Sequence, residues 1–339
     1  MRKLSVFVLV VVLLTSAGAA IYWQRAERVM NAPGPHRAPL ALTVKPGASV
    51  RAVLAEIEMR GALADRRAVE VRLRVRGWPN IKAGHYEIPP QASPRDILRQ
   101  LEEGRVLLEA LTVIEGWTFA DLRRAVEGHS AIRVTLKGSD IAALMSAIGH
   151  AGEHPEGRFY PDTYRFAADT TDRELYLLAY RKLAEALDGA WASRTEGLPI
   201  ATPYEALTLA SIVEKETGLA SERPRIAGVF TSRLRKGMRL QTDPSVIYGI
   251  GSSYDGNIRT RDLRTDTPYN TYTRAGLPPT PIALPSREAL EAATHPLETG
   301  DLYFVASGTG DGSHVFSSTY EAHLIALKRY LARLRENRR

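Results

Sequence analysis

The chain opens with twenty consecutive uncharged residues, from Leu4 to Trp23, behind the short basic start Met1-Arg2-Lys3. A helix of about 20 apolar residues spans a hydrocarbon core about 30 Å thick, and Tyr22 and Trp23 stand where aromatic residues border a membrane. The pattern predicts a transmembrane anchor at 4–23 with a cytoplasmic head at 1–3. The alternative is a cleaved signal peptide, because the small residues at 17–19 imitate a cleavage site.

Beyond the anchor, the periodicity divides the chain into three parts. Residues 24–40 contain three prolines and a glycine with little periodicity, and they predict a linker. Residues 41–110 and 111–339 carry both strand and helix patterns, which predicts a small and a larger α+β domain. In the larger domain a glycine-rich turn near the C-terminus predicts a hairpin. Four capping boxes predict helix starts there, at Thr118, Thr171, Thr202 and Ser318.

The small domain contains a strand–turn–helix pattern twice. Val44–Ile57 and Ile88–Leu101 align at a spacing of 44 residues, and each helix begins after a serine that can cap it, Ser49 or Ser93. Two copies are too few for a solenoid, so the pattern predicts one domain over 41–110. The unit resembles a LysM module, a glycan-binding fold, and structural duplication without sugar binding is the equal alternative.

The amino-acid composition limits which classes of function the chain can have. The chain has no cysteine, which suits a domain outside the cytoplasm that avoids disulfides. A net charge of +7 suits anionic lipid headgroups or an acidic polymer, or it is a basic surface without a partner. Nucleic acid is not expected, because no basic run interleaves with aromatic residues. The eight histidines lack metal-ligand spacing, and no nucleophile elbow or phosphate loop occurs, so no metal or cofactor is expected.

Two glutamates end a predicted helix in the stretch LASIVEKETG, Leu209–Gly218. At 100° per residue, Glu214 and Glu216 lie on opposite flanks of a wide apolar stripe. Partial burial raises the pKa of a carboxyl group toward neutrality, which suits a general acid. The alternative is a structural glutamate paired with Arg223 or Arg233. Periodicity alone does not choose between the two carboxylates.

Several longer segments carry a family resemblance. ASIVEKETG, RPRIAGVFTSRLRKGMRLQTDPSVIYG, TPYNTYTRAGLPPTPI and LYFVASGTGDGSHVFSSTYEAH, with EGRFYPDTY upstream, resemble the MltG (YceG-like) family of endolytic murein transglycosylases. The motifs occur in the family's order, and the resemblance covers nearly the whole chain. One segment departs from it: the family's PPGPIxNPG reads PPTPIALPS here, with Thr280, Leu284 and Ser286 at the altered positions. One loop of the cleft is therefore expected to differ in shape.

The resemblance implies which residues act. The first glutamate of EKET is the family's catalytic residue, which corresponds to Glu214, and Glu216 is then structural. Polar and aromatic residues are expected to hold the glycan. The candidates, each with a turn or packing role as the alternative, are Gln241, Asn270, Tyr272 and Tyr164.

The implied reaction cleaves the β-1,4 bond between N-acetylmuramic acid and N-acetylglucosamine without water. Glu214 would protonate the glycosidic oxygen and then accept the proton of the muramic C6 hydroxyl, which closes onto C1 and leaves a 1,6-anhydro end. Ordinary glycosidases need two carboxylates. Here the sugar supplies its own nucleophile, so a second carboxylate is not required.

The resemblance also implies a subcellular location and binding partners. The chain is expected to cross the inner membrane once, with the catalytic domain in the periplasm, where it would cut nascent peptidoglycan strands beside their synthases. Two other functions remain open. One is a non-catalytic, membrane-anchored glycan-binding scaffold for those synthases. The other is a pyridoxal-phosphate lyase with Lys215 as the Schiff-base lysine, although Lys215 points off the apolar stripe and no phosphate site is visible.

Overall fold

The computed structural model describes residues 2–336, with side chains from residue 7 onward. Of the predicted head at 1–3, Met1 lies outside this range. The described residues form two compact units. The first runs through Glu109 and includes Arg165–Asp169, and the second comprises Ala110–Tyr164 and the chain from Thr170 onward. Both units combine helices and strands, as the α+β prediction requires.

The first unit contains four helices and an antiparallel pair of strands. Its elements are α1 (Arg2–Asn31), β1 (Leu40–Val44), α2 (Val50–Met59), α3 (Arg66–Arg76), β2 (Gly84–Ile88) and α4 (Pro94–Glu103). The strands pair from Leu40 opposite Ile88 to Val44 opposite Gly84. The serine hydroxyls of Ser49 and Ser93 accept hydrogen bonds from the first turns of α2 and α4, which confirms both predicted caps. The LysM likeness stays a prediction.

Helix α1 extends further than the sequence predicts. Among the described residues it is the one helix long and apolar enough to cross a membrane, over Phe7–Asn31. Residues 24–31, predicted as part of a linker, are helical: Ala26 and Met30, one turn apart, are buried, and α1 packs against α3 and α4 of the same unit. Arg72 fixes this end of α1: its guanidinium lies 4.3 Å from the ring centre of Trp23 and 2.5 Å from the Glu27 carboxylate. The irregular connection covers only residues 32–39.

The second unit is built around one buried helix. Two strands, β3 (Leu108–Thr112) and β5 (Thr163–Ala167), have residues in both units. The other elements of the second unit are α5 (Phe119–Gly128), β4 (Ile132–Arg133), α6 (Ile141–Ala147), β6 (Thr170–Thr171), α7 (Asp172–Ala192), α8 (Pro203–Glu216), α9 (Arg223–Arg235), α10 (Asp243–Ile250), α11 (Thr260–Arg264), α12 (Arg287–Thr294), β7 (Tyr303–Ala306), β8 (His314–Ser317) and α13 (Tyr320–Glu336). Helix α8 packs against α7, α9 and α12.

The predicted apolar stripe of α8 is buried, and so are the small polar residues between its members. Ser211 is fully buried because its hydroxyl is used twice: it donates to the Thr208 carbonyl and accepts the Ile282 N–H. The helix is therefore enclosed on all sides over 206–213. This enclosure fixes the position of its last turn, which carries both glutamates.

Local capping chemistry sets most helix starts of this unit. The capping boxes at Thr118, Thr171 and Thr202 are all present. The prediction for Ser318 is wrong, because α13 begins at Tyr320 and Thr319 accepts the hydrogen bond from the first turn. Strands β7 and β8 pair antiparallel around the glycine-rich turn, which confirms the predicted hairpin.

Candidate active site

Glu214 lies in the last turn of α8 with its side chain only 5% exposed. Arg223, the first residue of α9, donates from Nη2 to Glu214 Oε1 at 3.0 Å and is itself 9% exposed. One of the two arginines considered from the sequence is therefore the partner of this carboxylate. An adjacent guanidinium favours the charged form of a carboxyl group.

The second oxygen of Glu214 is held by Ser286. The backbone N–H of Ser286 donates to Oε2 at 2.9 Å, and its hydroxyl donates to the same oxygen at 2.5 Å. Ser286 is also the N-cap of α12, where its Oγ accepts the Ala289 N–H at 3.1 Å. The carboxylate therefore faces the positive end of the α12 dipole, which favours negative charge.

A short loop, 114–117, covers one side of Glu214. The N–H of Gly116 donates to the Leu284 carbonyl at 2.8 Å, and the N–H of Leu284 donates to the Trp117 carbonyl at 2.7 Å. Gly116 has φ +75°, and a Cβ added there would lie 3.9 Å from Cγ of Glu214. Nζ of Lys215 donates a hydrogen bond to the Gly116 carbonyl of this loop at 3.1 Å. This contact occupies the lysine considered for a Schiff base.

Glu115 on this loop is a third carboxylate that sequence reasoning missed. Partial burial raises its pKa, and the negative charge of Glu214 raises it further, followed by a smaller effect of Glu288, whereas Arg223 lowers it. Like charges close together disfavour each other's ionisation. Glu115 therefore lies within electrostatic reach of both Glu214 and Arg223. The sequence EGW, immediately before the Thr118 cap, could have indicated Glu115, because it places a charged residue next to a glycine turn.

Glu216, two residues on, has a different environment. It accepts a hydrogen bond from the Thr242 hydroxyl, and burial raises its pKa to about 7, with a further contribution from the charge of Asp243. The carboxyl group that burial keeps near neutrality is thus Glu216, whereas Glu214 is held by cationic and polar donors. The periodicity placed both at the edge of the core but could not assign these partners.

Two of the predicted glycan contacts lie near Glu216. The Tyr272 hydroxyl donates to Asp243 Oδ1 at 2.5 Å, and burial together with this bond raises the pKa of Tyr272. Gln241 has an exposed side chain and φ +50°, a conformation held by its N–H, which donates to the Thr271 carbonyl at 3.1 Å. Non-glycine residues in this region mark strained backbone. Both side chains stay candidates for binding.

The other two predicted contacts, Asn270 and Tyr164, are buried. Asn270 is 1% exposed, and its amide nitrogen donates to the carbonyls of Asp262, Leu263 and Thr265. Its oxygen accepts the Tyr272 N–H at 2.9 Å. Its amide therefore joins several backbone groups of its own loop.

Tyr164 is also enclosed. It is 4% exposed, and its hydroxyl donates to the Tyr160 carbonyl at 2.5 Å. Burial raises its pKa. The polar groups of both Asn270 and Tyr164 complete short-range backbone contacts, and glycan binding by either residue stays a prediction.

The second unit is thus an α+β assembly with a carboxylate site at the end of its central helix, the arrangement of an acid–base enzyme. The chain belongs to the YceG-like family, whose profile matches residues 42–329. The protein named endolytic murein transglycosylase from Bacillus subtilis strain 168 is 29% identical over 308 residues, covering 86% of this chain and 84% of its own.

Two further relatives extend the comparison. The endolytic murein transglycosylase of Streptococcus pneumoniae serotype 2 strain D39 is 25% identical over 350 residues, covering 94% of this chain, which spans 63% of that protein's length. A crystal structure of a YceG-like protein from Listeria monocytogenes, lmo1499, matches with TM-score 0.48 at 26% identity, covering 85% of this chain and 99% of the other.

Proposed function

We propose that this chain is an endolytic murein transglycosylase, a lyase that cleaves the β-1,4 bond between N-acetylmuramic acid and N-acetylglucosamine inside a glycan strand and leaves a 1,6-anhydro-muramic end. Membership of the YceG-like family and the names of its relatives support the reaction class. The observation that carries the assignment of the acid is the position of Glu214, 5% exposed at the end of a buried helix, against the loop 114–117.

In the proposed reaction Glu214 gives its proton to the glycosidic oxygen as the bond from that oxygen to C1 breaks. The C6 hydroxyl oxygen of the muramic residue then bonds to C1, and its proton returns to Glu214. No water is consumed and the carboxyl group ends as it began. Attack within one sugar ring supplies much of the rate, since well-oriented intramolecular reactions gain about 7–11 kcal/mol.

Three donors fix the position of the Glu214 carboxyl group. Arg223 binds one oxygen, and the N–H and hydroxyl of Ser286 bind the other. A carboxyl group held in one orientation is suited to proton transfer at a fixed point of the substrate.

We further propose that residues 4–23 anchor the protein in the inner membrane, with the rest of the chain in the periplasm. The apolar helix over Phe7–Asn31 supports an anchor. An anchored enzyme reaches strands close to the membrane where they are made, so that its cuts end strand elongation, and the synthases of those strands are its expected partners. No metal or cofactor takes part in the proposed reaction.

The test uses the full chain in detergent micelles, incubated with uncrosslinked glycan strands, and mass spectrometry of the products. Internal fragments with 1,6-anhydro-muramic ends are expected, and Glu214→Gln should abolish them. Glu216→Gln is the matched control: it removes a carboxyl group two residues away and should keep the products while changing stability.

Three outcomes would contradict the proposal. Reducing ends without the anhydro bridge would identify a hydrolase. Binding of strands without any cleavage would identify a scaffold. Loss of cleavage in Glu216→Gln but not in Glu214→Gln would move the acid to Glu216.

A further inference from the structure

A pocket of about 460 Å³ opens in the first unit where α1, α3 and α4 meet. The residues around it come from the end of α1, from the end of α3 with the turn that follows it, and from α4. Four of them are arginines, Arg72, Arg76, Arg95 and Arg99. The reaction proposed for the second unit uses none of these arginines, so the pocket that they line needs an explanation of its own.

Carboxylates neutralise part of the charge of this pocket. Glu27 of α1 accepts hydrogen bonds from two of the arginines, Arg72 at 2.5 Å and Arg95 at 2.6 Å. Asp96 accepts from a third at 2.5 Å, and Glu102 lines the pocket itself. Four guanidinium groups therefore meet three carboxylates, and one positive charge is left over.

Among the described residues, these arginines keep most of their hydrogen-bond donors unpaired. A guanidinium group has five N–H donors, and the pairs with Glu27 and Asp96 use one donor of each arginine involved. Arg76 has no hydrogen-bond or ion-pair partner in the described part of the chain. Arg72 is 2% exposed, and its Nη1 is buried without a partner. Because a buried unpaired donor costs free energy, the pocket suits an anion with several oxygens.

The lining of the pocket fits the phosphate group of a lipid. Arginine presents a planar and always charged set of donors, which binds the oxygens of a phosphate group in pairs. Trp78 lines the same pocket and is 38% exposed, and Val75, in the last turn of α3, is 67% exposed. Tryptophan and exposed apolar side chains beside basic residues are typical of a surface that lies on a membrane.

The pocket also lies next to the proposed membrane anchor. The guanidinium of Arg72 lies 4.3 Å from the ring centre of Trp23, the residue that ends the apolar run. Met30, which also lines the pocket, stands about 10 Å further along α1. The polar headgroup layer is about 5–7 Å thick on each side of the hydrocarbon core. The pocket therefore begins at the depth of the phosphates of the lipids around the anchor.

We propose that this pocket binds the phosphate group of an anionic phospholipid and so holds the first unit against the membrane. The proposal rests on the anchor and is independent of the reaction proposed for the second unit. The anchor keeps lipid headgroups beside the pocket at a high effective concentration. A free phosphate ion has the same chemistry without this advantage, and the experiment separates the two sources.

The experiment measures lipid binding by the fluorescence of Trp78. In the full chain, Trp23, Trp117 and Trp191 are replaced by phenylalanine, so that Trp78 is the remaining tryptophan. The protein, in micelles of a neutral detergent, is titrated with phosphatidylglycerol, which has a net negative charge, and in parallel with phosphatidylcholine, which has none. Phosphatidylglycerol should produce a saturable change in emission, and phosphatidylcholine should produce none.

Two variants of α3 test whether the pocket itself binds the lipid. Arg76→Gln removes a pocket arginine without a protein partner, and the mole fraction of phosphatidylglycerol at half-saturation should rise about tenfold or more. Arg74→Gln is the matched control, because Arg74 is an exposed arginine two residues away that does not line the pocket. In about 0.15 M salt, which screens exposed charges, it should move the half-saturation point less than about threefold. Since both side chains are exposed, the two variants should have equal thermal midpoints.

Several results would overturn the proposal. An equal response to both lipids, or none to phosphatidylglycerol, would mean that the pocket is not a site for an anionic lipid. Equal losses in Arg76→Gln and Arg74→Gln would show a diffuse effect of surface charge. Inorganic phosphate that gives the same change and displaces the lipid would make the ligand a free ion. A response only to uncrosslinked glycan strands, added to the Glu214→Gln chain, would make the pocket a glycan site. Each readout is binding, so the proposed cleavage is judged separately.

Discussion

Glu156 offers a test of the electrostatics of the second unit that is independent of catalysis. Its carboxyl group is 4% exposed and accepts hydrogen bonds from the Phe119 N–H and the Tyr248 hydroxyl, both at 2.9 Å. Burial outweighs these bonds and raises the pKa of Glu156 to about 7. Glu156→Gln keeps the shape and an oxygen acceptor while removing the titration.

The size of the expected change in stability follows from the linkage between proton binding and folding. Between its ordinary value of 4.5 and about 7, Glu156 is charged in the unfolded chain but protonated in the folded one, so the folded state binds more protons. Stability therefore falls as the pH rises through this window. The protonated Glu156 contributes about 3 kcal/mol to the free energy of unfolding, a contribution that is fully present below about pH 4.5 and lost above about pH 7. Glu156→Gln should gain about that much relative to the wild type between pH 4 and pH 8.

The assay is urea denaturation of the full chain in micelles at pH 4, 5, 6, 7 and 8. Trp23→Phe and Trp78→Phe restrict the fluorescence to Trp117 and Trp191, which lie in the second unit. The free energy of unfolding is compared at each pH with and without Glu156→Gln.

A second substitution, at Asp172, checks the direction of this pH dependence. Hydrogen bonds from Thr135, Leu136 and Arg173 outweigh the burial of Asp172 and hold its pKa below the usual range. Asp172→Asn should therefore cost stability at neutral pH and less in acid, the reverse of Glu156→Gln. Parallel curves for the wild type and Glu156→Gln from pH 4 to pH 8 would refute the reasoning.

Two substitutions test the packing around the site. Asn270→Ala should lower the free energy of unfolding by about 3 kcal/mol, because several enclosed carbonyls lose their hydrogen-bond donor. Urea denaturation measures this loss, and a value under about 1 kcal/mol would show that water replaces the amide. Gly228→Ala would place a Cβ 2.0 Å from the Leu297 carbonyl oxygen, backbone against backbone. It should cost about 1–3 kcal/mol, and an unchanged thermal midpoint would contradict the close approach.

Helix starts were predictable because their chemistry is local. A cap joins residues three apart, so Ser49, Ser93 and Thr202 could be recognised from neighbouring letters, and each makes the expected bond. The error at Ser318 is a shift by one residue, because the neighbouring hydroxyl of Thr319 accepts the hydrogen bond from the first turn of α13.

The continuation of α1 was missed for a different reason. The prolines after residue 32 suggested an irregular segment beginning directly after the apolar run. Ala26 and Met30 stand four residues apart, the spacing of one helical face, and both are buried. Because the charged residues Glu27 and Arg28 stand between them, an apolar count did not reveal that face.

The composition of the site could not be predicted, because its contacts are distant in sequence. Glu214 and Ser286 are separated by 72 residues, and Glu115 lies still further away. Only the tertiary packing of α8, α9 and α12 brings them together. Ser286 was recognised as a departure from the family pattern, but its hydrogen bond to the carboxyl group had no signal in the sequence.

A raised pKa is often used to find a catalytic carboxyl group, and by that criterion alone Glu156 and Glu216 would be selected, since burial brings both to about 7. Each of these two accepts a hydrogen bond from one hydroxyl group, that of Tyr248 or of Thr242. Glu214 has a different set of partners: Arg223 binds one of its oxygens, and the N–H and hydroxyl of Ser286 bind the other. The proposal for Glu214 rests on its position at the end of the buried helix α8 and not on a raised pKa, and the products of Glu214→Gln and Glu216→Gln decide it.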